Sequence, residues 1–154
     1  MPEELKPSIR IGTPEDWVRV TDFNRRLAME TEGKELPEET IGAGVRAVLG
    51  DLERGIYYCA MVDGELIGQL MITREWSDWR NGWFHWIQSV YVEERFRGQG
   101  IFRALYRHAE SIAKNDPDVC GLRLYVENDN EKAQEVYIRL GMSKTHYQLF
   151  EIEF

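Results

Sequence analysis

Four segments of the chain carry apolar residues at the spacing of one helix face. In the first, Trp17, Val20, Phe23 and Leu27 form a stripe that ends at Gly33. The other three predicted helices begin after residue 37, begin after residue 100, and span residues 130–140. A proline at the start of the first helix and glycines after helix ends support these bounds, because each residue type favours that end of a helix.

Shorter apolar or alternating runs between the predicted helices indicate strands. They cover residues 8–11, 56–62, 65–73, 83–92, 121–126 and 144–154. Asp63-Gly64 joins the second and third runs and predicts a tight hairpin, because both residues tolerate positive φ. Residues 83–92 are apolar on both faces, which is typical of a central strand covered on each side. Residues 75–82 predict a polar-aromatic loop.

The length and the composition are those of one domain with a single core. Hydrophobic residues make up 43% of the 154 residues and charged residues 30%, which is sufficient for a packed interior and a solvated surface. We therefore predict one domain over residues 1–154. The formal net charge of -8 argues against a nucleic-acid partner, which would require a basic face, and is compatible with cationic small molecules.

The two cysteines and the first residues bear on the cellular setting. Cys59 and Cys120 lie in apolar stretches, so we expect two buried free thiols and no disulfide framework. Residues 1–4 show neither the basic nor the apolar segment of a signal peptide. The longest apolar run, residues 56–62, is too short to span a bilayer. These features predict a soluble cytoplasmic protein with no membrane partner.

A glycine-rich segment, Arg-Phe-Arg-Gly-Gln-Gly at residues 95–100, connects the fourth predicted strand to the third predicted helix. Such a junction directs backbone N–H groups and the positive end of a helix dipole to one point, which suits an anion. Glycines there let a ligand approach the backbone, and the two arginines add positive charge. The residues alone leave a second interpretation open, namely a glycine-rich turn with two solvated arginines.

A second motif lies in the last predicted helix, where Asn130 and Tyr137 are seven residues apart. This spacing is about two helical turns, so both side chains lie on nearly one face. Taken by themselves, Asn130 would be a helix cap and Tyr137 a core aromatic residue.

In this order, the two motifs resemble those of the GNAT superfamily of acetyl-CoA-dependent N-acetyltransferases. Arg95-x-x-Gly98-x-Gly100 is similar to the family's pyrophosphate loop, and the segment from Asn130 is similar to its Asn-x-x-Ala-x-x-x-Tyr-x-x-x-Gly-Phe motif. The resemblance covers residues 83–142. It implies an α/β fold in which helices flank both faces of a mixed central β-sheet, and it implies acetyl-CoA as co-substrate.

The resemblance also implies roles for particular residues. Tyr137 would be catalytic, because its phenol would reach the thioester sulfur and protonate the departing thiolate. Val90 and Val92 would contact pantetheine and thioester through their main chain. The implied acetyl-CoA contacts are Val90, Tyr91, Val92, Arg95, Arg97, Gly98, Gln99, Gly100, Ile101, Phe102, Asn130 and Tyr137. Two residues depart from the family pattern, Phe102 in place of a small residue and Met142 in place of phenylalanine.

In the family, the acceptor site lies among the first two helices and the loop that enters the central strand. Here those regions hold several glutamates and the tryptophans of residues 75–82. Carboxylates and aromatic rings hold ammonium groups by ion pairing and cation–π contact, so the predicted acceptor contacts are Glu30, Trp76 and Asp78. Each is also compatible with a solvated surface, and Arg80 could instead neutralise Asp78 or bind a substrate carboxylate.

No general base is evident from the sequence. Many relatives carry an acid on the central strand, where this chain has Gln88 and Ser89. His85, His108 and His146 lack the spacing of metal ligands, so we predict no metal.

We therefore predict an N-acetyltransferase that moves the acetyl group of acetyl-CoA to a primary amine of a small cationic acceptor by direct attack. Two alternatives stay open, a catalytically weak CoA-binding regulatory module and a peptide or protein N-acetyltransferase. The missing base keeps the first alternative, whereas the bulky tryptophans of residues 75–82 favour a small pocket over a peptide groove. Both a monomer and a homodimer are compatible with the sequence.

Overall fold

The computed structural model describes residues 4–154, which fall into two units. The first unit ends at Leu124, and its described residues hold one sheet and three α-helices. The second unit spans Tyr125–Phe154 and holds one α-helix. That residues 1–154 form one domain stays a prediction.

Five strands form the sheet, in the order β1-β2-β3-β4-β5. They are β1 (Ser8–Ile11), β2 (Ile56–Val62), β3 (Glu65–Ser77), β4 (Gly82–Val92) and β5 (Val119–Arg123). The first four strands pair antiparallel in chain order, whereas β5 pairs parallel with β4. The sheet is therefore mixed, as predicted, and β4 lies inside it.

The α-helices follow the predicted stripes closely. They are α1 (Trp17–Glu32), α2 (Glu38–Leu49), α3 (Ile101–Asn115) and α4 (Glu131–Arg139). A short 3-10 turn, Pro14–Asp16, precedes α1, and the Thr13 N–H donates to Asp16 Oδ2 at 2.8 Å. Gly33 ends α1 with a φ of 60°, a left-handed conformation that glycine adopts without strain.

Helices cover both faces of the sheet, which confirms the predicted fold class. Neighbouring residues of β3 show this, because side chains alternate between the two faces of a strand. A Cβ added to Gly68 would lie 3.1 Å from Ile101 of α3, whereas Gln69 contacts Asn24 of α1. The core on the side of α1 and α2 consists of Val20, Phe23, Val45, Leu49, Tyr57, Cys59, Leu66 and Tyr91.

The hairpin of β3 and β4 is longer than predicted. β3 continues to Ser77, so the loop predicted over residues 75–82 shrinks to a 3-10 turn at Asp78–Arg80 and one further residue. Trp76 pairs with Trp83 across the hairpin, with ring centroids 5.0 Å apart. Such cross-strand aromatic pairs stabilise a ribbon beyond the apolar run from which the strand was predicted.

Three predictions near the C-terminus need correction. β5 begins at Val119, two residues earlier than predicted, because Val119 pairs with Trp83. The strand predicted over residues 144–154 is wrong, since an alternating pattern forms a strand only where a neighbouring strand pairs with it. Cys59 is buried as predicted, whereas Cys120 is exposed because β5 is an edge strand.

Candidate functional site

The loop after β4 has the backbone geometry that close approach of a ligand requires. Gly98 and Gly100 have φ values of 74° and 84°, in the left-handed region that favours glycine, and α3 begins at Ile101. A Cβ added to Gly98 would meet no atom within 4 Å, so space over the loop is open. The first turn of α3 presents its N–H groups and positive dipole end to this loop.

The chain itself places an acidic side chain at this loop. A Cβ added to Gly100 would lie 2.8 Å from Glu4 Oε1, and this carboxylate pairs with Arg103 of α3 at 2.7 Å. The Leu5 N–H donates to the Gln99 carbonyl at 3.0 Å and holds the segment in place. The start of α3 therefore accommodates a carboxylate, whose charge has the sign of a phosphate. The residues present fit the pyrophosphate that the motif implies.

Carboxylates offset the charge of Arg95. The guanidinium of Arg95 pairs with Glu65, and its Nε lies 3.3 Å from Glu93. Arg19 pairs with the same two carboxylates at 3.5 and 2.8 Å. The affinity of the loop for an anion therefore depends more on its amides than the sequence motif indicated.

Arg97 joins α1 to the end of β4. Its Nη2 donates to Glu30 Oε2 at 2.8 Å, and its Nε donates to the Val92 carbonyl at 2.8 Å. The guanidinium carbon lies 5.2 Å from the ring centroid of Tyr91, whose hydroxyl donates to Glu30 Oε1 at 3.3 Å. In this conformation Arg97 occupies the Val92 carbonyl, which the sequence motif assigned to pantetheine.

β4 carries a bulge at the position where the motif implies contact with a thioester. The pairing of β3 with β4 shifts register between Gln69 and Met71, so Ser89 and Val90 together oppose one residue of β3. Ser89 has a φ of 50°, which is uncommon for a residue other than glycine. A bulge of this kind bends its strand and redirects main-chain groups.

A cleft of about 630 Å³ opens next to these residues. This volume lies within the range of small-molecule sites, roughly 300–1,000 Å³. Carboxylates and guanidinium groups from α1, the end of β4 and the following loop line it. The lining residues are Arg26, Glu30, Tyr91, Glu93, Glu94 and Arg95.

The second unit contains Asn130 and Tyr137. Asn130 caps α4, since its Oδ1 accepts a hydrogen bond from the Ala133 N–H at 3.1 Å. Burial raises the pKa of Tyr137 above its ordinary value of 10.0. The phenol therefore stays protonated at neutral pH and is able to donate a proton.

Comparison with known proteins identifies the family. A sequence model of the acetyltransferase (GNAT) family matches residues 17–142, which is more than half of the chain. The chain belongs to the GNAT acetyltransferase family. The matched region includes both the glycine loop and α4.

Two known proteins show how similar the chain is to its relatives. The crystal structure of "a possible acetyltransferase" from Clostridium difficile 630 is 42% identical, with a TM-score of 0.92 over 96% of this chain and 97% of that one. The streptothricin acetyltransferase of Escherichia coli is 27% identical over 93 residues, 60% of this chain. That alignment spans only 50% of the Escherichia coli protein.

A more distant structure shares the fold alone. It is a predicted acetyltransferase with acetyl-CoA from Clostridium acetobutylicum, 17% identical, with a TM-score of 0.77 over 96% of each chain. The GNAT fold is therefore retained at low sequence identity.

The structure does not bring the three predicted acceptor contacts together. Glu30 contacts Tyr91, whereas Trp76 pairs with Trp83 near the hairpin tip. Tyr91 lies eight positions after Trp83 on β4, which is roughly 25 Å along a strand. Asp78 lies in the tip itself and accepts a hydrogen bond from the N–H of the next residue at 2.9 Å. Glu30 on one side, and Trp76 with Asp78 on the other, are therefore two separate acceptor candidates.

Other polar groups along the two strands are engaged. Gln88 donates to the Thr73 hydroxyl at 2.5 Å. Glu75 Oε1 accepts hydrogen bonds from Trp86 at 3.1 Å and from Arg123 at 2.9 Å. Gln88 and Glu75 are therefore both held by contacts to neighbouring strands.

Residues 4–154 contain no group of three or more His, Cys, Asp or Glu residues that could hold a metal ion. Within the same described range, no helix is both long and apolar enough to cross a membrane.

Sequence reasoning missed two features of the site. One is Glu4 at the glycine loop. The other is a buried polar group behind the bulge, formed by Asn24, Tyr57 and Gln69. A signal for the second was present, because Gln69 interrupts an otherwise apolar run in β3.

Proposed function

We propose that the chain transfers the acetyl group of acetyl-CoA to a primary amine of a small cationic acceptor. One observation carries the proposal: Gly98 and Gly100 are left-handed at the N-terminus of α3, in a chain of the GNAT family. Backbone amides at such a helix end suit a pyrophosphate. The name of the Escherichia coli relative, streptothricin acetyltransferase, supports a small acceptor.

Acetyl-CoA supplies the acetyl group as a thioester, from which an amine forms an amide and a thiol is released. In this proposal Tyr137 holds the proton that the departing sulfur receives. A phenol is neutral at physiological pH, so it has a proton to give to the departing sulfur. The main chain of Val90 and Val92 would orient the thioester.

Direct attack is proposed because neither cysteine is suited to carry an acetyl group. Burial raises the pKa of Cys59 to about 12, so the nucleophilic thiolate is scarce at neutral pH. Cys120 lies on β5 beside the start of β4, at the end of that strand away from the bulge. A route without a covalent acyl-enzyme fits both observations.

The charges around the cleft support a cationic acceptor. Three carboxylates and two guanidinium groups line it, and the whole chain has a net charge of -8. A surplus of carboxylates concentrates cations near the site. Glu30 is one candidate contact, and Trp76 with Asp78 is the separate alternative.

A turnover assay tests the function and the acceptor contact together. Thiol release from acetyl-CoA is followed with polyamines, aminoglycosides, amino acids and peptides, and KM for the best amine is compared in Glu30→Gln, Asp78→Asn and Trp76→Ala. Loss of a real contact should raise KM about tenfold, which corresponds to about 1.4 kcal/mol. A preference for anionic acceptors contradicts the cationic class, whereas binding of acetyl-CoA with no turnover supports the regulatory-module alternative.

A cytoplasmic location stays a prediction. We also propose that the protein is a homodimer. The second unit exposes large apolar side chains, namely Tyr125, Ile138, Tyr147, Leu149, Phe150, Ile152 and Phe154. Exposed apolar surface of this kind is typical of an interface. Light scattering after size exclusion should give twice the 18.1 kDa of one chain, and a monomer at micromolar concentration contradicts the proposal.

A further inference from the structure

A buried polar cluster lies behind the β4 bulge, in a layer that is mostly apolar. Asn24 of α1, Tyr57 of β2 and Gln69 of β3 are 5%, 4% and 0% exposed. The Asn24 Nδ2 donates to the Tyr57 hydroxyl at 3.0 Å, and the Gln69 Nε2 lies 3.4 Å from Asn24 Oδ1. The same Nε2 donates to the Ser89 carbonyl at 3.0 Å. We call these three side chains the bulge clamp.

Tyr57 brings β2 into the bulge clamp. Burial raises the pKa of Tyr57, while hydrogen bonds with Asn24 and the Ser89 side chain act in the opposite direction. Ser89 is held directly by the hydrogen bond from Gln69 to its carbonyl. Its left-handed conformation, with a φ of 50°, needs such support because it is costly for a residue other than glycine.

The support that Gln69 gives to the bulge has a cost in fold stability. Among the described residues, the Gln69 Oε1 is buried and has no hydrogen-bond partner. An unpaired buried acceptor is unfavourable, and an apolar side chain would avoid this cost. The Nε2 of Gln69 is therefore hydrogen-bonded at the bulge, whereas its Oε1 has no partner. This difference points to a role at the bulge.

We propose that Gln69 is a positioning residue that orients the Val90 N–H toward the thioester by holding the Ser89 carbonyl. The reason is the planarity of the peptide unit: the Ser89 C=O and the Val90 N–H belong to one rigid plane and point in opposite directions. Gln69 pulls the carbonyl toward α1, so the N–H is directed away from that face. Asn24 and Tyr57 act one step further out, because Asn24 contacts Gln69 and Tyr57 holds Asn24 in place.

This inference rests on the proposed acetyl transfer, and its test separates the two. Gln69→Leu removes the hydrogen bond to Ser89, and Thr73→Val is the matched control. Thr73 also lies on β3 and accepts a hydrogen bond from β4, from Gln88, but outside the bulge. Each variant is measured for folding by circular dichroism, for acetyl-CoA affinity by calorimetry and for kcat with the best amine.

The first readout needs no substrate. In ¹⁵N-labelled protein, Gln69→Leu should shift the amide signals of Ser89 and Val90, whereas Thr73→Val should leave them in place. Unmoved Ser89 and Val90 signals in folded Gln69→Leu overturn the proposal, whether or not the enzyme is active.

The second readout is the division of the effect between kcat and affinity. Misplacing a reacting group by about 1 Å costs about 10²-fold in rate, so Gln69→Leu should lower kcat about 10²-fold with little change in acetyl-CoA affinity. Thr73→Val should retain the wild-type kcat. An unchanged kcat in folded Gln69→Leu overturns the proposal and leaves the acetyl transfer intact. Failure of wild type to bind acetyl-CoA overturns the proposed function and this inference with it.

A conservative variant adds a signature that a merely structural role would not produce. In Gln69→Glu, burial should keep the carboxyl protonated near neutral pH, and its O–H then donates to the Ser89 carbonyl in place of the amide. The ratio of the kcat of this variant to the wild-type kcat should fall as pH rises and the carboxyl ionises. A ratio that is low and independent of pH, in folded protein, contradicts the positioning role.

Discussion

Gly98→Glu is the most direct test of the glycine loop, and Gly33→Glu is its control. Both glycines are exposed, both have positive φ (74° and 60°), and a Cβ at either would meet no atom within 4 Å. Each substitution therefore costs only the backbone strain of a left-handed residue, about 1–2 kcal/mol. The new carboxylate also interacts with the dipole of the neighbouring helix, which changes the free energy of unfolding of each variant by less than about 1 kcal/mol. Without ligand, the two variants should lose similar stability.

The ligand separates the two variants. At 100 times its Kd, acetyl-CoA should stabilise wild type and Gly33→Glu by about 2.7 kcal/mol, because it binds only the folded state. For a chain of this size that stabilisation corresponds to a rise in Tm of roughly 5–11 °C. Gly98→Glu should show no rise, since a carboxylate side chain would occupy the open space over the loop and repel phosphate.

Thermal unfolding followed by fluorescence, with and without acetyl-CoA, measures these shifts, and calorimetry confirms the Kd. Gly98→Glu that folds and shows the wild-type shift would refute the assignment of the loop. If Gly33→Glu lost the rise in Tm to the same extent, the reasoning would also be refuted. Loss of the acetyl-CoA response would then be a general consequence of reduced stability.

Three further expectations follow from named side chains. Tyr137→Phe should lower kcat by ~10²-fold or more with little change in acetyl-CoA affinity, because only the proton donor is lost; an unchanged kcat in single-turnover measurements contradicts this role. In native protein a thiol reagent should label the exposed Cys120 and spare Cys59, whose pKa burial raises to about 12. Cys59→Ser and Cys120→Ser should retain turnover if folded, and loss of turnover would reopen a covalent route. Glu4→Gln should strengthen acetyl-CoA binding severalfold at low salt, because a carboxylate beside Gly100 is removed; titration calorimetry showing equal affinities contradicts competition at this loop.

Features of the fold that depend on neighbouring residues could be read from the sequence. The bounds of α1 follow from Pro14 in the turn before it, from its apolar stripe and from Gly33. The β2–β3 hairpin follows from Asp63-Gly64, both with positive φ. The glycine loop is equally local, since a strand, two glycines and a helix are consecutive in the chain. Each depends on backbone preferences and side-chain periodicity within a few residues, which sequence patterns report directly.

The tertiary structure alone decided how distant segments meet. The bulge clamp and the Ser89 carbonyl that it holds join α1, β2, β3 and β4. No local pattern specifies that Asn24, Tyr57 and Gln69 share a hydrogen-bond network. The pairing of Arg97 with Glu30 and the separation of Glu30 from Trp76 depend likewise on strand register. The strand predicted over residues 144–154 does not form, because an alternating pattern specifies the two faces of a strand but not the partner strand. Sequence therefore determined most of the elements and the glycine loop, whereas long-range packing determined the geometry around the bulge.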